Sequence, residues 1–317
     1  HRQTLQELPM GVCSLAKDQE ILMWNKAMEE LTGIAAQRVV GSRLTTIADP
    51  WKELLLGFIN LPDEHLHKQH LALDGQTRWL NLHKANSLVS NLKDLGYATL
   101  AAHPYTNSNY RRDSAWLTLG FDETHFQDDF PTKETYGSRP YQTDSATYRD
   151  LEGLYEAMPE DQPRFVFLVS IQSHGDYDMN PPEEDIVHAA TDYGEYDSIM
   201  DEYLSNIYMT DRAFGELTEY LTEQYEKTGR KVIVAMAGDH APSFVDHVAD
   251  HTFTDENNLQ ILERSTPYLI WANYPLENAG QTSATDEYNR MDMCMLAPTL
   301  VENAGLPLTP YYQYLLA

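Results

Sequence analysis

The stretch Lys231-Val-Ile-Val-Ala-Met-Ala-Gly-Asp-His-Ala-Pro242 carries the clearest fold signal in this chain. Its first half is a continuous apolar run rich in β-branched residues, which is typical of a strand buried on both faces of a parallel sheet. Asp239 and His240 follow this run, and open α/β sheets bind ligands beyond the carboxyl ends of their strands. An adjacent carboxylate and imidazole can bind a divalent cation such as Zn²⁺ or Mn²⁺. The alternative is an ordinary strand end, capped by Asp239, with His240 at the surface.

Strand and helix patterns alternate throughout residues 86–317. Further apolar runs of strand length occupy residues 97–102, 165–171 and 268–272. Apolar residues recur at helical spacing over residues 87–95, 148–158, 193–227 and 293–304. Because strands that alternate with helices form a parallel sheet covered on both faces, the pattern predicts an α/β domain of that kind.

Three of the predicted strands are followed by a histidine. His103 and His174 occupy these places on two strands, and His240 follows the strand of residues 232–236. One such histidine is usually incidental, but the carboxyl ends of parallel strands meet at one edge of a sheet. The sequence therefore predicts that the three histidines share a site.

The polar loop Asn109-Tyr-Arg-Arg-Asp113 lies between the first two of these strands. Two adjacent arginines near such a site suit a phosphate or sulfate group, because a guanidinium fork matches its oxygen atoms. The alternative is a solvated loop whose arginines pair with Asp113. Arg112 and Tyr110 therefore remain candidates for substrate binding at this stage.

Residues 1–85 have the pattern of a small α+β unit. Short strands are predicted at Gly11–Leu15 and Ile21–Trp24, and Asn25 is placed to cap a helix that ends at Gly33. A helix over residues 51–59 follows, and then two alternating strands over residues 71–82 around the turn signal Asp74-Gly75. The unit is predicted to be separate from the α/β domain, with the boundary near residues 85 and 86.

The composition excludes several classes of protein. The formal net charge is −27, so the surface repels nucleic acid. Residues 1–85 carry 9 basic and 10 acidic side chains, whereas residues 86–317 carry 13 and 39. Cys13 and Cys294 are too few for a disulfide framework. No run of about eighteen apolar residues predicts a transmembrane segment, and no signal-peptide pattern stands at the N-terminus.

Residues 86–317 resemble the sulfatase/alkaline-phosphatase superfamily, and within it the lipoteichoic acid synthase-like phosphoglycerol transferases. The resemblance rests on a series of short motifs in the family's order: Leu95-Gly-Tyr97, Ala102-His-Pro-Tyr105, Tyr110-Arg-Arg-Asp113, Leu119-Gly-Phe121, Ser170-Ile-Gln-Ser-His-Gly-Asp-Tyr177, Gly238-Asp-His-Ala-Pro242 and Thr266-Pro-Tyr268. It implies a metal-dependent transfer or cleavage of a phosphodiester, with a phosphoglycerol-bearing lipid or polymer as the substrate. It also implies a location at the extracellular face of a cell membrane.

The resemblance implies a role for each matched site residue. Asp239 and His240 would be ligands of a Mn²⁺ or Mg²⁺ ion, and Arg112 would bind the phosphate. His174 would contact the transferred phosphoryl group or the glycerol. Two further residues are implied to line the substrate site: His103, next to the pocket, and Tyr110, where the family often has Trp.

The family's nucleophile and its first acidic metal ligand have no match in this sequence. Members carry them upstream, on a strand end and a helix start, where this chain has residues 1–85 instead. Thr45 and Thr46 are not surrounded by such a motif and are not assigned this role. Neither Cys13 nor Cys294 has the Cys/Ser-x-Pro-x-Arg context of a plain sulfatase. We therefore expect little or no turnover from this chain, since covalent catalysis requires the nucleophile.

Residues 1–85 resemble the front half of a PAS sensor domain, truncated before its last strand. The matching residues are Pro9-Met-Gly-Val12, Ile21-Leu-Met-Trp-Asn25, Glu30-Leu-Thr-Gly33 and Val40-Gly41. No cofactor is assigned to this segment, and the resemblance implies a cytoplasmic parent protein. The alternative function is therefore a sensory or signalling module, in a chain that joins two fragments.

Overall fold

The structure is a computed structural model that describes residues 11–16, 18–59, 67–73, 76–82, 87–248, 264–276 and 291–316. The chain divides into two compact units. The first unit contains residues 1–91, 114–120 and 309–311, and the second contains residues 92–113, 121–308 and 312–317.

The described strands and helices alternate along most of the chain. The strands are β1 Cys13–Leu15, β2 Ile21–Trp24, β3 His67–Leu73, β4 Gln76–Leu82, β5 Ala98–Ala102, β6 Glu123–His125, β7 Arg164–Leu168, β8 Ile233–Ala237 and β9 Tyr268–Ala272. The α-helices are α1 Lys26–Thr32, α2 Ala36–Val39, α3 Trp51–Ile59, α4 Leu88–Asp94, α5 Arg112–Leu119, α6 Asp144–Ala157, α7 Asp197–Thr228, α8 Val245–Val248, α9 Leu296–Asn303 and α10 Pro310–Leu316. In the part of the chain that the structure describes, no helix is both long and apolar enough to cross a membrane.

The first unit is the predicted α+β arrangement. Strands β1 and β2 pair antiparallel, with Cys13 opposite Trp24. Asn25 caps α1 by accepting a hydrogen bond from the backbone N–H of Met28, and Gly33 ends the helix at φ 69°. A small apolar core holds these elements together: Ile21, Trp24, Met28, Val39, Leu44, Ile47 and Trp51.

Strands β3 and β4 form the predicted antiparallel hairpin, with His67 opposite Leu82 and Leu73 opposite Gln76. The strand pattern began at residue 71, whereas β3 begins at His67. The turn signal Asp74-Gly75 itself lies outside the described residues.

A three-stranded parallel sheet in the order β6-β5-β7 forms the centre of the second unit. Every residue of β5 is buried, because this strand has a neighbour on each side and an apolar core packs against it. Leu100, Phe130 and Met158 belong to that core. The α/β fold with a parallel sheet is therefore confirmed, and the small unit before it is also present.

The strand that precedes Asp239 and His240 differs from the prediction in its pairing. β8 forms, but it pairs antiparallel with β9, with Ile233 opposite Ala272 and Ala237 opposite Tyr268. All residues of β8 are half-buried, and not fully buried as predicted. An apolar run reports only that a strand contacts a core, and it carries no information about the direction of the neighbouring strand.

Helix α7 is the longest element, with 32 residues from Asp197 to Thr228. The predicted helix began four residues earlier, where a 3₁₀ turn, Gly194–Tyr196, now precedes α7. Six of its residues are buried, and three of these six are polar: Glu202, Ser205 and Asn206. One face of α7 therefore packs against other polar groups in addition to the apolar core.

Candidate functional site

A group of polar side chains lies beyond the carboxyl ends of β5 and β7 in the second unit. His103 directly follows β5 and is 1% exposed. Its Nδ1 atom lies 2.7 Å from the carbonyl oxygen of Val169, the residue that follows β7. Its Nε2 atom lies 3.2 Å from Nη1 of Arg112. The parallel pairing of the two strands thus brings His103 and Arg112 to one edge of the sheet.

These two contacts assign the tautomer of His103. A guanidinium can only donate hydrogen bonds, so Nε2 accepts from Arg112 and Nδ1 carries the proton that it donates to Val169. Burial is the largest influence on the imidazole and lowers the pKa of His103 to about 4. The positive charges of Arg112 and His174 act in the same direction, against the backbone bond to Val169. His103 is therefore neutral at physiological pH.

Arg112 is half-buried at the start of α5, after the 3₁₀ turn Asn109–Arg111. Its guanidinium carbon lies 5.0 Å from the ring centroid of Tyr110, which is 85% exposed. Burial lowers the pKa of Arg112, and its neighbours Tyr110 and Asp239 act in the opposite direction. The guanidinium stays charged, because arginine does not lose its proton in proteins.

His174 lies in the segment after β7, next to Tyr141. The Tyr141 hydroxyl lies 3.3 Å from Nδ1 of His174 and donates to the carbonyl oxygen of Gly175 at 3.1 Å. The two rings are 5.4 Å apart between centroids. Tyr105 lies between Tyr141 and His103, with ring centroids 5.7 Å and 6.4 Å away from them. The rings of Tyr105 and Tyr141 thus form a row between His103 and His174.

Asp239 and His240 follow β8, as predicted, and both are exposed. The Asp239 Oδ1 atom accepts a hydrogen bond of 3.0 Å from the backbone N–H of His240. The Nε2 atom of His240 is 3.4 Å from Oδ2 of Asp239, and its Nδ1 atom is 2.8 Å from the carbonyl oxygen of Ala241. Asp239 is close enough to influence the ionisation of Arg112. The structure therefore brings Asp239 towards the group, whereas the contacts of His240 are with its own neighbours in the chain.

The described residues supply an incomplete set of metal ligands. Among them, no group of three or more His, Cys, Asp or Glu side chains could hold a metal ion. A zinc site takes three or four protein ligands, and Mg²⁺ or Mn²⁺ takes about six donors, including water and substrate oxygens. Asp239 and His240 provide two donors. These two residues alone do not fit a complete divalent-cation site.

Two parts of the site have no counterpart in the sequence-based prediction. Tyr141 stands 33 residues before His174, in a segment without a strand or helix pattern. Arg139 and Glu202 form a buried ion pair beside the same loop. The sequence offers one indication of this ion pair, which is that Glu202 occupies a face of α7 that otherwise packs inward. A buried charge on such a face requires a partner, but the sequence does not name it.

The chain matches two family models. The model described as Sulfatase matches residues 58–306, and the model described as PAS fold matches residues 2–83. The matches overlap between residues 58 and 83, and the Sulfatase match alone extends across the boundary predicted near residues 85 and 86.

Curated relatives resemble the chain at low identity. A putative cyclic β-1,2-glucan modification protein of Rhizobium meliloti (strain 1021) is 22% identical over 209 residues, covering 62% of this chain and 31% of the relative. An uncharacterised protein of Haemophilus influenzae is 25% identical over 245 residues, covering 70% of this chain and 44% of the relative. The chain therefore spans less than half the length of these curated relatives.

The phosphoglycerol transferase GacH of Streptococcus pyogenes, solved with sn-glycerol-1-phosphate, has a similar fold. Its TM-score is 0.53 at 20% identity, and the match covers 70% of this chain and 53% of GacH. The lipoteichoic acid synthase LtaP of Listeria monocytogenes matches with a TM-score of 0.47 at 21% identity, covering 58% of this chain and 45% of LtaP. The likeness to GacH supports the alkaline-phosphatase-like fold of the second unit.

Proposed function

This chain belongs to the sulfatase family, and we propose that its second unit is the phosphate-binding part of a phosphoglycerol transferase of the lipoteichoic acid synthase type. The observation that carries the proposal is the pair of Arg112 and His103, whose Nη1 and Nε2 atoms lie 3.2 Å apart at the edge of the parallel sheet. A half-buried guanidinium beside a neutral imidazole keeps its positive charge available for an anion, because the imidazole has no negative charge to neutralise it.

The proposed substrate is a phosphoglycerol group carried by a lipid or a polymer. Arg112 binds the phosphate oxygens, and His174 contacts the phosphoryl group or the glycerol. Tyr110, exposed above the guanidinium, forms a wall of the site. His103 orients Arg112 through the bond to its Nη1 atom. A place at the extracellular face of a cell membrane belongs to the same proposal.

A divalent cation, Mn²⁺ or Mg²⁺, is proposed to bind at Asp239 and His240 through an incomplete set of ligands. With two protein donors we expect weak binding, because affinity rises with the number of ligands. We further propose that this chain has little or no turnover, since its sequence contains no recognisable nucleophile motif. The domain boundary is proposed to lie between residues 85 and 86.

The binding of sn-glycerol-1-phosphate tests the proposal. Isothermal titration at low salt compares the unchanged chain with Arg112→Gln, and with Arg149→Gln as a control. Arg149 is an exposed arginine of the same unit, paired with Glu134. We expect Arg112→Gln to weaken binding roughly ten- to hundredfold, since a charged hydrogen bond contributes about 1.5–3 kcal/mol. Equal affinities for the Arg112→Gln and Arg149→Gln proteins would overturn the assignment of Arg112.

Turnover is tested separately from binding. We expect no Mn²⁺-dependent cleavage of a phosphodiester above the background rate. A robust rate that His240→Ala abolishes would show that the chain is an active enzyme and would overturn the proposal of low turnover.

A sensory or signalling module is the second candidate, and the match of residues 2–83 to the PAS fold model favours it. In this case the role of the chain depends on its first unit, whose apolar core includes Trp24 and Trp51. Fluorescence of these tryptophans, measured during titration with haem or flavin, distinguishes the two candidates. Saturable quenching would favour the sensory function, whereas an unchanged signal agrees with our assignment of no cofactor.

A further inference from the structure

The loop that carries His174 is held by a buried arginine. Arg139 is 2% exposed, and its side chain reaches into this loop from a segment 35 residues earlier. Its Nη1 atom donates to the carbonyl oxygen of Asp176 at 3.0 Å, and its Nη2 atom donates to that of Gln172 at 3.3 Å. Nη2 also donates to the carbonyl oxygen of His174 itself. One guanidinium thus fixes three alternate carbonyl groups of the loop.

Glu202 of α7 completes the arrangement from the other side. Its carboxylate pairs with Nη1 of Arg139 and is 0% exposed. The Oε2 atom accepts hydrogen bonds from the backbone N–H groups of Met179 at 2.6 Å and Asn180 at 2.8 Å. The ion pair therefore binds the loop through its carbonyl groups at one end and its N–H groups at the other.

Two more residues of α7 hold the same loop. Asn206 and Thr210 follow Glu202 at four-residue spacing, so the three side chains lie on one face of the helix. The Oδ1 atom of Asn206 accepts a hydrogen bond of 3.4 Å from Gln172, and the Thr210 hydroxyl lies 3.3 Å from that of Ser173. Glu202, Asn206 and Thr210 thus all hold the loop from one polar face of α7.

Aromatic rings connect Arg139 to His174. The guanidinium carbon lies 5.5 Å from the ring centroid of Tyr141 and 5.4 Å from that of Tyr177. Tyr141 contacts the imidazole of His174, and the Tyr177 hydroxyl donates to the carbonyl oxygen of Ser173 at 2.7 Å. A change at Arg139 is therefore transmitted to His174 through both the backbone and Tyr141.

A buried ion pair contributes little net free energy to the stability of a fold. Two charges lose their hydration, and an apolar pair of similar volume is often as stable or more stable. What an apolar pair cannot do is to bond three carbonyl groups and two N–H groups of one loop. We therefore attribute the presence of the Arg139–Glu202 ion pair to the conformation that it imposes on the loop, and not to a gain in stability.

We propose that Arg139 and Glu202 are positioning residues that set the orientation of the His174 imidazole at the phosphate site. They do not touch the substrate. The proposal rests on the proposed function, in which His174 contacts the phosphoryl group or the glycerol.

The test is the double variant Arg139→Met/Glu202→Leu. It removes both charges at once, so that no buried charge is left without its opposite charge. Arg164→Met is the matched control, because Arg164 also donates to three carbonyl groups, those of Pro159, Tyr155 and Met158, at the opposite end of β7. Two quantities are measured: the ¹⁵N chemical shifts of the His174 ring by NMR, and the affinity for sn-glycerol-1-phosphate. We expect the double variant to fold, to shift the His174 signals and to bind about five- to tenfold more weakly, whereas Arg164→Met changes neither quantity.

The two readouts separate the possible failures. If the unchanged chain does not bind sn-glycerol-1-phosphate, the proposed function fails, while the His174 signals still decide whether the pair orients the ring. Unchanged His174 signals in a folded double variant would overturn the positioning role. If the double variant does not fold, Glu202→Gln replaces it, since the amide keeps the shape and one acceptor. In this variant, too, altered His174 signals support the proposal and unaltered signals overturn it.

Discussion

The Nη1 atom of Arg112 lies 3.2 Å from Nε2 of His103, and the opposite nitrogen of the same ring donates to Val169. A protonated imidazole would present a hydrogen to the guanidinium and place two positive charges in contact. The pair therefore exists only while His103 is neutral. This condition couples the candidate site to pH.

The first prediction concerns the stability of the fold in acid. The unfolded chain protonates His103 near its ordinary pKa of 6.5, whereas the folded chain does so only at about 4. Between these values the unfolded state binds the extra proton, so the free energy of unfolding falls as the pH decreases. Each pKa unit is worth about 1.4 kcal/mol, which gives roughly 3 kcal/mol for the whole range.

Urea unfolding at several pH values between 4 and 7 checks this prediction. The variant His103→Gln carries no titrating ring, so its stability is expected to depend less on pH than that of the unchanged chain. Carboxylates titrate in both proteins and cancel in the comparison. An identical pH dependence of the two proteins would contradict the assignment of a low pKa to His103.

The second prediction concerns the two free thiols. Burial raises the pKa of Cys13 to about 12, whereas Cys294 is exposed. Since the thiolate is the reactive form, we expect iodoacetamide at pH 8 to label Cys294 roughly a hundredfold faster than Cys13. Peptide mass spectrometry measures both rates. In concentrated urea the difference should disappear, and equal labelling of the folded chain would contradict the burial of Cys13.

The third prediction uses two glycines with opposite surroundings. Gly137 has φ +56°, and a Cβ atom there would overlap the side chains of Asn180 and Glu184. Gly153 lies inside α6, and a Cβ atom there would meet nothing within 4 Å. We expect Gly137→Ala to destabilise the second unit by about 2 kcal/mol or more, through strain and displacement of Asn180.

Gly153→Ala is the matched control for this substitution. Alanine is the better helix former, so we expect it to stabilise the second unit by roughly 0.5–1 kcal/mol. Thermal unfolding of the two variants should therefore shift in opposite directions. A shift of both variants in the same direction would show that the environment of Gly137 or of Gly153 differs from the one described.

The fourth prediction concerns the cap of α1 in the first unit. The Oδ1 atom of Asn25 accepts hydrogen bonds from the N–H groups of Val12 at 2.8 Å and Met28 at 3.0 Å. Removal of a cap of this type costs about 1–2 kcal/mol. We expect Asn25→Ala to lower the stability of the first unit by this amount, as measured by urea unfolding with tryptophan fluorescence. Gln37→Ala, at an exposed position of the same unit, should change it by less than about 0.5 kcal/mol.

Local patterns allowed a correct prediction of the elements that local physics decides. The apolar run of β5 and the cap and stop of α1 each depend on a few neighbouring residues. The positions of His103 and Arg112 at the edge of the sheet were also predictable from the sequence, because both residues stand within ten residues of the end of β5. A parallel sheet then brings such ends together without further information.

Long-range contacts were not predictable in this way. Nothing in the run of β8 indicates that its partner is antiparallel, because β9 has the same apolar character. Arg139 and Tyr141 lie in a segment without periodicity, and their importance comes only from the distant residues that they contact. A pair of opposite charges can be recognised as a pair only when the fold has placed the two side chains together.

The link between Arg139 and α7 has a further consequence, for the order in which the chain folds. Glu202 follows Arg139 by 63 residues, so their pairing closes a long segment of chain and is entropically costly until the sheet and α7 have formed. Turns of α7, by contrast, close only a few residues each and can form early. We therefore expect the loop around His174 to become ordered only when α7 is in place, because its backbone bonds require both Arg139 and Glu202.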